Sequence, residues 1–351
     1  MTEICLALAL LGVSAYAVLG GADFGAGFWD LTAGGAQRGS RVRAVIERSM
    51  HTVWEVNHVW LIFVLVVLWT CFPKFFGSAM SSLAIPMVIA SLGIILRGTA
   101  FAVRGQAATI NEARVLGAVF ALSSVIVPFA LGAAIGGIAS GRVHVGNATS
   151  DLWSVWLNPT SLLIGTLAVA TGAYLAAVFL AGDSQKLALP DMVTAFRRRA
   201  IGSAIVAGAL AIGGLFVLRS DARSLYDGLT SGGGLVCVVG SAVLGGLTFG
   251  LVLTNRFGLA RATSAGAVVA IILGWAFAQS PYLLPGELTL DQAAAPDATL
   301  QAVLIAVAIG LVLLVPALVW LYRLALGGDI SEEFLPFDER FRAPESQEEQ
   351  S

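Results

Sequence analysis

The sequence predicts an all-α integral membrane protein with about nine transmembrane helices, arranged as two four-helix halves plus one additional helix. Three observations predict this class. Hydrophobic residues make up 57% of the 351 residues and charged residues only 12%, whereas an average soluble domain has about 25% charged residues. The mean hydropathy is +0.85. The 40 glycines are typical of helices that pack closely in lipid. A soluble globular protein is excluded, because so few charged groups cannot cover a chain of this size.

Nine apolar segments are each long enough to cross the roughly 30 Å hydrocarbon core of a bilayer as a helix. They cover residues 4–25, 52–72, 78–102, 115–139, 160–181, 200–218, 234–254, 260–280 and 299–325. Together they form one polytopic transmembrane domain over residues 1–328, followed by a polar tail over residues 329–351. The division into two halves depends on a weak similarity between residues 12–18 and 172–178, each of which places a tyrosine among small residues.

Basic residues alternate between the loops on the two sides of the predicted bundle. The first, third, fifth and seventh loops contain Arg38, Arg41, Arg43, Arg48, Arg104, Arg114, Lys186, Arg197, Arg198, Arg199, Arg256 and Arg261. The intervening loops contain only Lys74, Arg142, Arg219 and Arg223. We expect the chain to lie in a cell membrane, either plasma or inner. The positive-inside rule then places the N-terminus outside the cell and the C-terminal tail in the cytoplasm. The net charge of −2 gives no basic excess for nucleic acid.

Polar and ionisable residues in or next to the first three spans are the candidate functional residues, because an ionisable side chain within a span costs about 2.5 to 3.5 kcal/mol to insert into a membrane. The candidates are Asp23 in the first span, Glu55, Asn57 and His58 in the second with His51 just before it, and Arg97 in the third with Arg104 just after it. His51, Glu55 and His58 are spaced to share one face of a helix. The alternating direction of the spans is expected to bring all of these residues to one depth, just beneath the cytoplasmic surface.

This grouping favours proton transfer, because burial and a nearby cation shift the pKa of a carboxyl in opposite senses and can poise it for exchange. Glu55 is the first candidate proton carrier and Asp23 the second, with Asn57 and His58 assisting. Arg97, Arg104 and His51 are expected to tune the pKa of the acid or to pair helices. A structural role is the open alternative, because groups near the interface also snorkel or lock neighbouring helices together.

The chain alone predicts no metal or haem site. His51 and His58 lie on one side of a single helix, about 10 Å apart by helical rise, so they cannot bind one iron from opposite faces. Cys5, Cys71 and Cys237 are far apart and form no CxxC pair, which favours buried thiols over metal ligands or disulfides.

Several motifs resemble subunit II of the cytochrome bd quinol oxidases, a family that includes a cyanide-insensitive branch. The matching segments are Tyr16 to Gly27, Trp54 to Leu61, Leu96-Arg97-Gly98, Gly172 to Phe179, Trp275 to Tyr282, Leu288 to Asp291 and Ala293 to Pro296. They occur in family order over nearly the whole chain. Two positions depart from the family pattern. The first-span motif Asp-Gly-Phe-Asp reads Gly20-Gly21-Ala22-Asp23, and the second acid of Trp-Asp-Gly-Asn-Glu is His58.

The resemblance implies a nine-helix subunit that pairs with a larger subunit I in a pseudosymmetric heterodimer. It implies that the complex oxidises quinol and reduces dioxygen to water, that the b and d haems and the quinol site lie in subunit I, and that subunit II supplies a cytoplasmic proton path and stabilises its partner. Glu55 matches the family's acid in that path. Whether the complex also contains a small accessory subunit is left open.

Two rival functions remain at this point. A secondary transporter would use the glycine-rich first and fourth spans as interrupted helices around a substrate near the midplane. A purely structural partner would have no role in proton transfer, and Glu55→Gln would then leave oxygen consumption unchanged.

Overall fold

The computed structural model describes residues 1–50, 54–104, 109–147 and 150–327 and confirms the predicted all-α membrane fold. Within these ranges eight helices are long and apolar enough to cross a membrane, and nine are if one sharply bent helix pair counts as a single span. The chain is therefore a multi-pass membrane protein. The predicted tail over residues 329–351 lies outside the described residues.

The helices, in chain order, are α1 (Thr2–Leu31), α2 (Ala36–Met50), α3 (Trp54–Cys71), α4 (Pro73–Ser82), α5 (Ala84–Arg104), α6 (Ile110–Ala139), α7 (Pro159–Lys186), α8 (Pro190–Asp221), α9 (Arg223–Leu229), α10 (Gly232–Leu253), α11 (Phe257–Gln279), α12 (Leu290–Ala293) and α13 (Asp297–Gly327). Two short antiparallel strands, β1 (Tyr282–Leu284) and β2 (Leu288–Thr289), precede α12. We refer to the end of the bundle at which α1 finishes as the arginine-rich end. Its basic residues include Arg41, Arg43, Arg48, Arg197 and Arg198.

The first span is longer than predicted and contains one wide turn. The helix runs to Leu31 rather than to residue 25, and residues Tyr16–Gly20 form a π-helical turn within it. The half before this turn packs on α3, and Gly12 lies so close to Val64 that a Cβ atom there would come within 2.7 Å of the valine side chain. The half after the turn packs between α6 and α7.

The predicted start of the third span at residue 78 is wrong. The backbone leaves helical geometry at Phe72, and Pro73 begins the separate helix α4, whose axis differs by 120° from that of α3. Proline has no N–H to continue the hydrogen bonds of α3 but fits the first turn of a new helix. The third span therefore starts only at Ala84.

The end of the bundle opposite the arginine-rich end is closed by the hairpin and by α12, which the hydropathy pattern predicts only as a loop. Thr289 caps α12 by accepting a hydrogen bond from the Gln292 backbone, and the Gln292 side chain accepts one from the Thr289 backbone in return. The Ala295 N–H donates to the Cys71 carbonyl at 2.8 Å. This bond joins the loop to the end of α3.

The three cysteines are free thiols. Cys5 and Cys71 are buried in the same apolar cluster near this closed end, and Cys237 is half-buried. The last helix, α13, lies at the periphery, where it contacts α3 and α1 and leaves most of its described side chains exposed. That apolar surface is suited to lipid or to another membrane subunit.

Candidate functional site

Polar residues from the first three spans meet in one buried cluster. Asp23 of α1, Asn57 of α3 and Arg97 of α5 are only 4%, 3% and 1% exposed. The Asn57 Nδ2 atom donates to the Asp23 carboxylate at 3.0 Å and lies 3.4 Å from the Leu19 carbonyl. The structure thus brings together three of the residues singled out from the sequence, one from each span.

The guanidinium of Arg97 joins this cluster to α6. Its Nε donates to the Ser124 hydroxyl at 3.0 Å, and one terminal nitrogen donates to the Asp23 backbone carbonyl at 3.1 Å. The same group lies 4.7 Å from the ring centre of Phe24 and 4.9 Å from that of Phe120. Hydrogen bonds and aromatic contacts offset the cost of burying a cation, so Arg97 is held in one position.

An aromatic group borders the cluster. The rings of Tyr16, Phe24 and His58 lie 6.1 to 6.4 Å apart and pack edge to face. His58 is therefore next to the cluster, as its spacing from Glu55 suggests. Its ring packs against two aromatic side chains, and it makes further interactions as well.

Two glycines of α1 allow the cluster to form, because they let this helix approach two neighbours closely. A Cβ atom at Gly25 would lie 1.9 Å from the Gly172 carbonyl oxygen of α7, and one at Gly27 would lie 2.1 Å from the Ser124 hydroxyl of α6. Small residues at such crossings are the usual means of close packing between membrane helices. They place Asp23 within reach of Asn57 and Arg97.

The cluster lies further from the end of the first helix than the sequence predicts. Because α1 continues to Leu31, Asp23 lies eight residues, or about 12 Å by helical rise, from the end of the helix. The predicted position of Asp23 near the end of the first span is therefore wrong.

A second acid lies nearer that end. Asp30 is 5% exposed and forms an ion pair with the Arg43 Nε at 2.7 Å, and Arg43 also donates to the Gly34 carbonyl at 2.6 Å. These bonds join α2 to the end of α1 and indicate a structural role for this pair.

Three predicted residues cannot be placed in the cluster. His51 lies outside the described residues. Glu55 belongs to the first turn of α3 and Arg104 ends α5, but their side chains are also outside the part of the chain that the structure describes. The roles predicted for these three side chains stay predictions.

Sequence reasoning missed four members of the site, namely Tyr16, Phe24, Phe120 and Ser124. The Ser123-Ser124 pair within the apolar fourth span is a polar signal that could have indicated contact with a buried arginine. The three aromatic residues gave no such signal, because aromatic residues in a span usually face lipid or the core.

Two polar atoms in this region have no hydrogen-bond partner among the described residues. They are the Tyr16 hydroxyl and the Asn57 Oδ1 atom, and both are buried. Buried polar groups in proteins are normally satisfied, often by an internal water molecule. The site therefore has spare capacity for hydrogen bonding beside its carboxylate.

The fold and the site define the class of this protein as a polytopic helical membrane protein with a buried acid, amide and guanidinium cluster among its first helices. The chain belongs to the cytochrome bd terminal oxidase subunit II family, whose sequence profile matches residues 1–325. It is therefore a subunit of an oxidoreductase complex of the quinol oxidase type, and the resemblance seen in the sequence motifs is confirmed.

Individual relatives agree with this assignment. A Bacillus subtilis (strain 168) protein assigned as a cytochrome bd menaquinol oxidase subunit II is 22% identical, over 92% of this chain and 95% of its own length. A cytochrome bd ubiquinol oxidase subunit 2 of the same organism is 32% identical over 32% of this chain and 33% of its own. A chain in the structure of the bd oxidase from Geobacillus thermodenitrificans matches with a TM-score of 0.71 and 25% identity, covering 92% of this chain and 98% of that one.

Within the described ranges no three His, Cys, Asp or Glu side chains lie close enough to hold a metal ion.

Proposed function

We propose that this chain pairs with a haem-bearing subunit I in a quinol:oxygen oxidoreductase and supplies the cytoplasmic part of its proton path. In this assignment the b and d haems and the quinol site belong to the partner, and this chain moves no electrons. The observation that carries the proposal is the buried hydrogen bond between Asn57 and the Asp23 carboxylate, in a cluster that reaches α6 through Arg97.

The assignment of substrate class follows from the relatives. Their names describe quinol oxidases that use menaquinol or ubiquinol. The match to the menaquinol oxidase subunit covers nearly the whole chain. We infer a quinol as the substrate of the complex and a subunit I as the obligate partner of this chain. The exposed apolar surface of α13 and the neighbouring helix α3 offers area for such a partner within the membrane.

We assign the arginine-rich end to the cytoplasm, in accord with the positive-inside rule. Glu55, in the first turn of α3, would then be the acid nearest the cytoplasm. Asn57 follows two residues further along the helix and contacts Asp23. A proton would pass from the cytoplasm to Glu55, and from there along water oriented by Asn57, with His58 assisting, to Asp23.

Water completes this path in our proposal. The Tyr16 hydroxyl and the Asn57 Oδ1 atom are buried without a partner among the described residues, and a bound water with two or more such partners is stable in a protein interior. An amide cannot itself carry a proton at neutral pH, so Asn57 would orient water and the carboxylate. Arg97 would fix the Asp23 backbone and keep a positive charge beside it.

The rival transporter function receives no support from helix geometry. It requires breaks in the first and fourth spans, yet α1 is continuous from Thr2 to Leu31 and α6 from Ile110 to Ala139, despite Pro128 within α6. The sharp bend in the described chain lies instead between α3 and α4.

Substitution of the two acids tests the proton path. Asp23→Asn keeps the size of the side chain and, after an amide flip, an acceptor for Asn57. Asp23→Asn and Glu55→Gln should each lower quinol-driven oxygen consumption of the purified complex by about tenfold or more, with the haem absorption spectrum unchanged. The control is Asp183→Asn, which removes a carboxylate that pairs with Arg261 outside the cluster. This variant should keep at least half of the activity.

The result distinguishes two roles. If both variants consume oxygen at the normal rate with normal haem spectra, the chain has a structural role only. If they lose haem along with activity, Asp23 and Glu55 support assembly rather than proton transfer.

A further inference from the structure

An apolar groove opens on the outer surface of the helix bundle, away from the buried cluster. It lies between α1, α6, α7 and α8 and has a volume of about 730 Å³. Phe28, Phe129 and Val206 are among the residues that line it, and Arg198 and Arg199 line it at one end. No acidic residue is among the described residues of its lining.

The length and position of this groove match one leaflet of a bilayer. Along α8 its lining extends from residue 198 to residue 210, which is about 18 Å at 1.5 Å per residue. Half of a hydrocarbon core is roughly 15 Å. The two arginines therefore lie near headgroup level at the arginine-rich end, and the apolar part of the groove extends towards the midplane.

Arg199 is held in place at the mouth of the groove. Its guanidinium lies 5.5 Å from the ring centre of Trp29 and 5.1 Å from that of Phe196. The Trp29 indole is itself fixed, because it donates to the Ala173 carbonyl at 2.8 Å. One terminal nitrogen of Arg199 is buried and has no hydrogen-bond partner among the described residues.

The two arginines differ from their neighbour in the same run. Arg197 donates to the Asn255 side chain at 3.3 Å, whereas Arg198 is exposed at the groove. An unsatisfied donor on a buried cation is costly, and a phosphate oxygen is the acceptor that a guanidinium binds most strongly. The mouth of the groove therefore has the charge and the donors that suit a phosphate group.

We propose that this groove binds an anionic phospholipid, with the phosphate group at Arg198 and Arg199 and one acyl chain along the apolar walls. Two cations in a lining without a described acidic residue favour a lipid of net negative charge over a zwitterionic one. A neutral quinone would fill the apolar part but would leave the guanidinium groups without an anion. The site is independent of the proton path proposed above.

Gly202 provides a means to close the groove without altering its charge. This glycine lines the groove, and a Cβ atom there would meet no other atom within 4 Å. A leucine at position 202 should therefore extend into the groove without displacing a helix. Gly208 of the same helix is equally open but does not line the groove, so Gly208→Leu is the matched control.

Native mass spectrometry of the purified, delipidated complex tests the proposal by titration with phosphatidylglycerol or with phosphatidylcholine of the same chain length. The unmodified complex should bind one phosphatidylglycerol about tenfold more tightly than phosphatidylcholine. The double variant Arg198→Gln with Arg199→Gln should lose this preference. Gly202→Leu should weaken binding of both lipids, whereas Gly208→Leu and Arg256→Gln should change neither.

Three outcomes would overturn the proposal. Equal affinity for the two lipids in the unmodified complex would show that the charge of the lipid does not determine binding. Unchanged binding in Gly202→Leu would show that phosphatidylglycerol contacts only surface arginines. Copurification of a quinone that is lost in Gly202→Leu, with phosphatidylglycerol binding unaffected, would assign the groove to the quinone.

Discussion

The crossing of α1 and α7 at Gly25 gives a sharp prediction about assembly of the site. An alanine at this position would place its Cβ atom 1.9 Å from the Gly172 carbonyl oxygen and 2.8 Å from the Ala173 nitrogen. Real Cβ atoms stay at least 3.0 Å from such atoms. Since both neighbours are backbone, no side chain can rotate away, and the two helices must separate.

The expected loss of folding stability in Gly25→Ala is large for the addition of one methyl group. Overpacking in a well-packed core costs typically about 1 to 3 kcal/mol and occasionally more, and the backbone contact places Gly25→Ala at the upper end of that range. Separation of α1 from α7 would also move Asp23 away from Asn57. We therefore expect lower thermal stability of the purified complex together with lower oxidase activity.

Thermal unfolding followed by size-exclusion chromatography measures this effect, with two matched controls. Gly21→Ala meets only the Leu175 side chain, at 3.7 Å, and Gly208→Ala meets nothing within 4 Å, so both should unfold close to the wild-type temperature. If Gly25→Ala unfolds at the same temperature as these controls, the close crossing of α1 and α7 does not hold the site together.

The remaining predictions concern a buried cation and an exposed loop. Arg97→Lys should lower the thermal stability by about 3 kcal/mol or more, because lysine cannot hold both hydrogen bonds and both ring contacts; equal loss in the exposed control Arg114→Lys would contradict this. The His144 ring and the Val145 N–H bond to Glu287 and hold the pKa of that carboxyl below its usual value of 4.5. A lowered folded-state pKa stabilises the protein above the unfolded value and loses its effect as the pH falls through the folded value. The difference in unfolding temperature between wild type and Glu287→Gln should therefore be full at pH 7 and shrink below about pH 4.5; a difference that grows on acidification would refute it.

The sequence predicts the spans well because hydropathy measures the property that a membrane selects. It fails at Pro73, where a proline that a membrane helix could have tolerated instead begins a helix turned by 120°. Residues 78–82 therefore read as the start of the third span, although they belong to the separate helix α4. The hairpin over 282–289 is missed for a related reason, because its stability comes from docking on the bundle rather than from its own periodicity.

The site is partly predictable for equally physical reasons. Asp23, Asn57 and Arg97 stand out because polar groups are costly in lipid. Their distance from the end of the first span could not be derived, since α1 continues beyond the predicted end at residue 25 to Leu31, where Asp30 pairs with Arg43. Nor could the sequence show that Gly25 and Gly27 face two different helices, because that depends on how α1 is placed between them.

The π-helical turn at Tyr16–Gly20 divides the first helix into two halves. The turn sets how far one half is rotated about the helix axis relative to the other. Such a turn accommodates one extra residue within an otherwise regular helix. Deletion of any one residue within it would restore ordinary winding and rotate the preceding half by about 100° relative to Asp23. The surface that fits α3 would then point elsewhere, while the acid itself stayed in place. The angular setting of this half-helix can therefore change by insertion or deletion without a substitution of Asp23, Asn57 or Arg97.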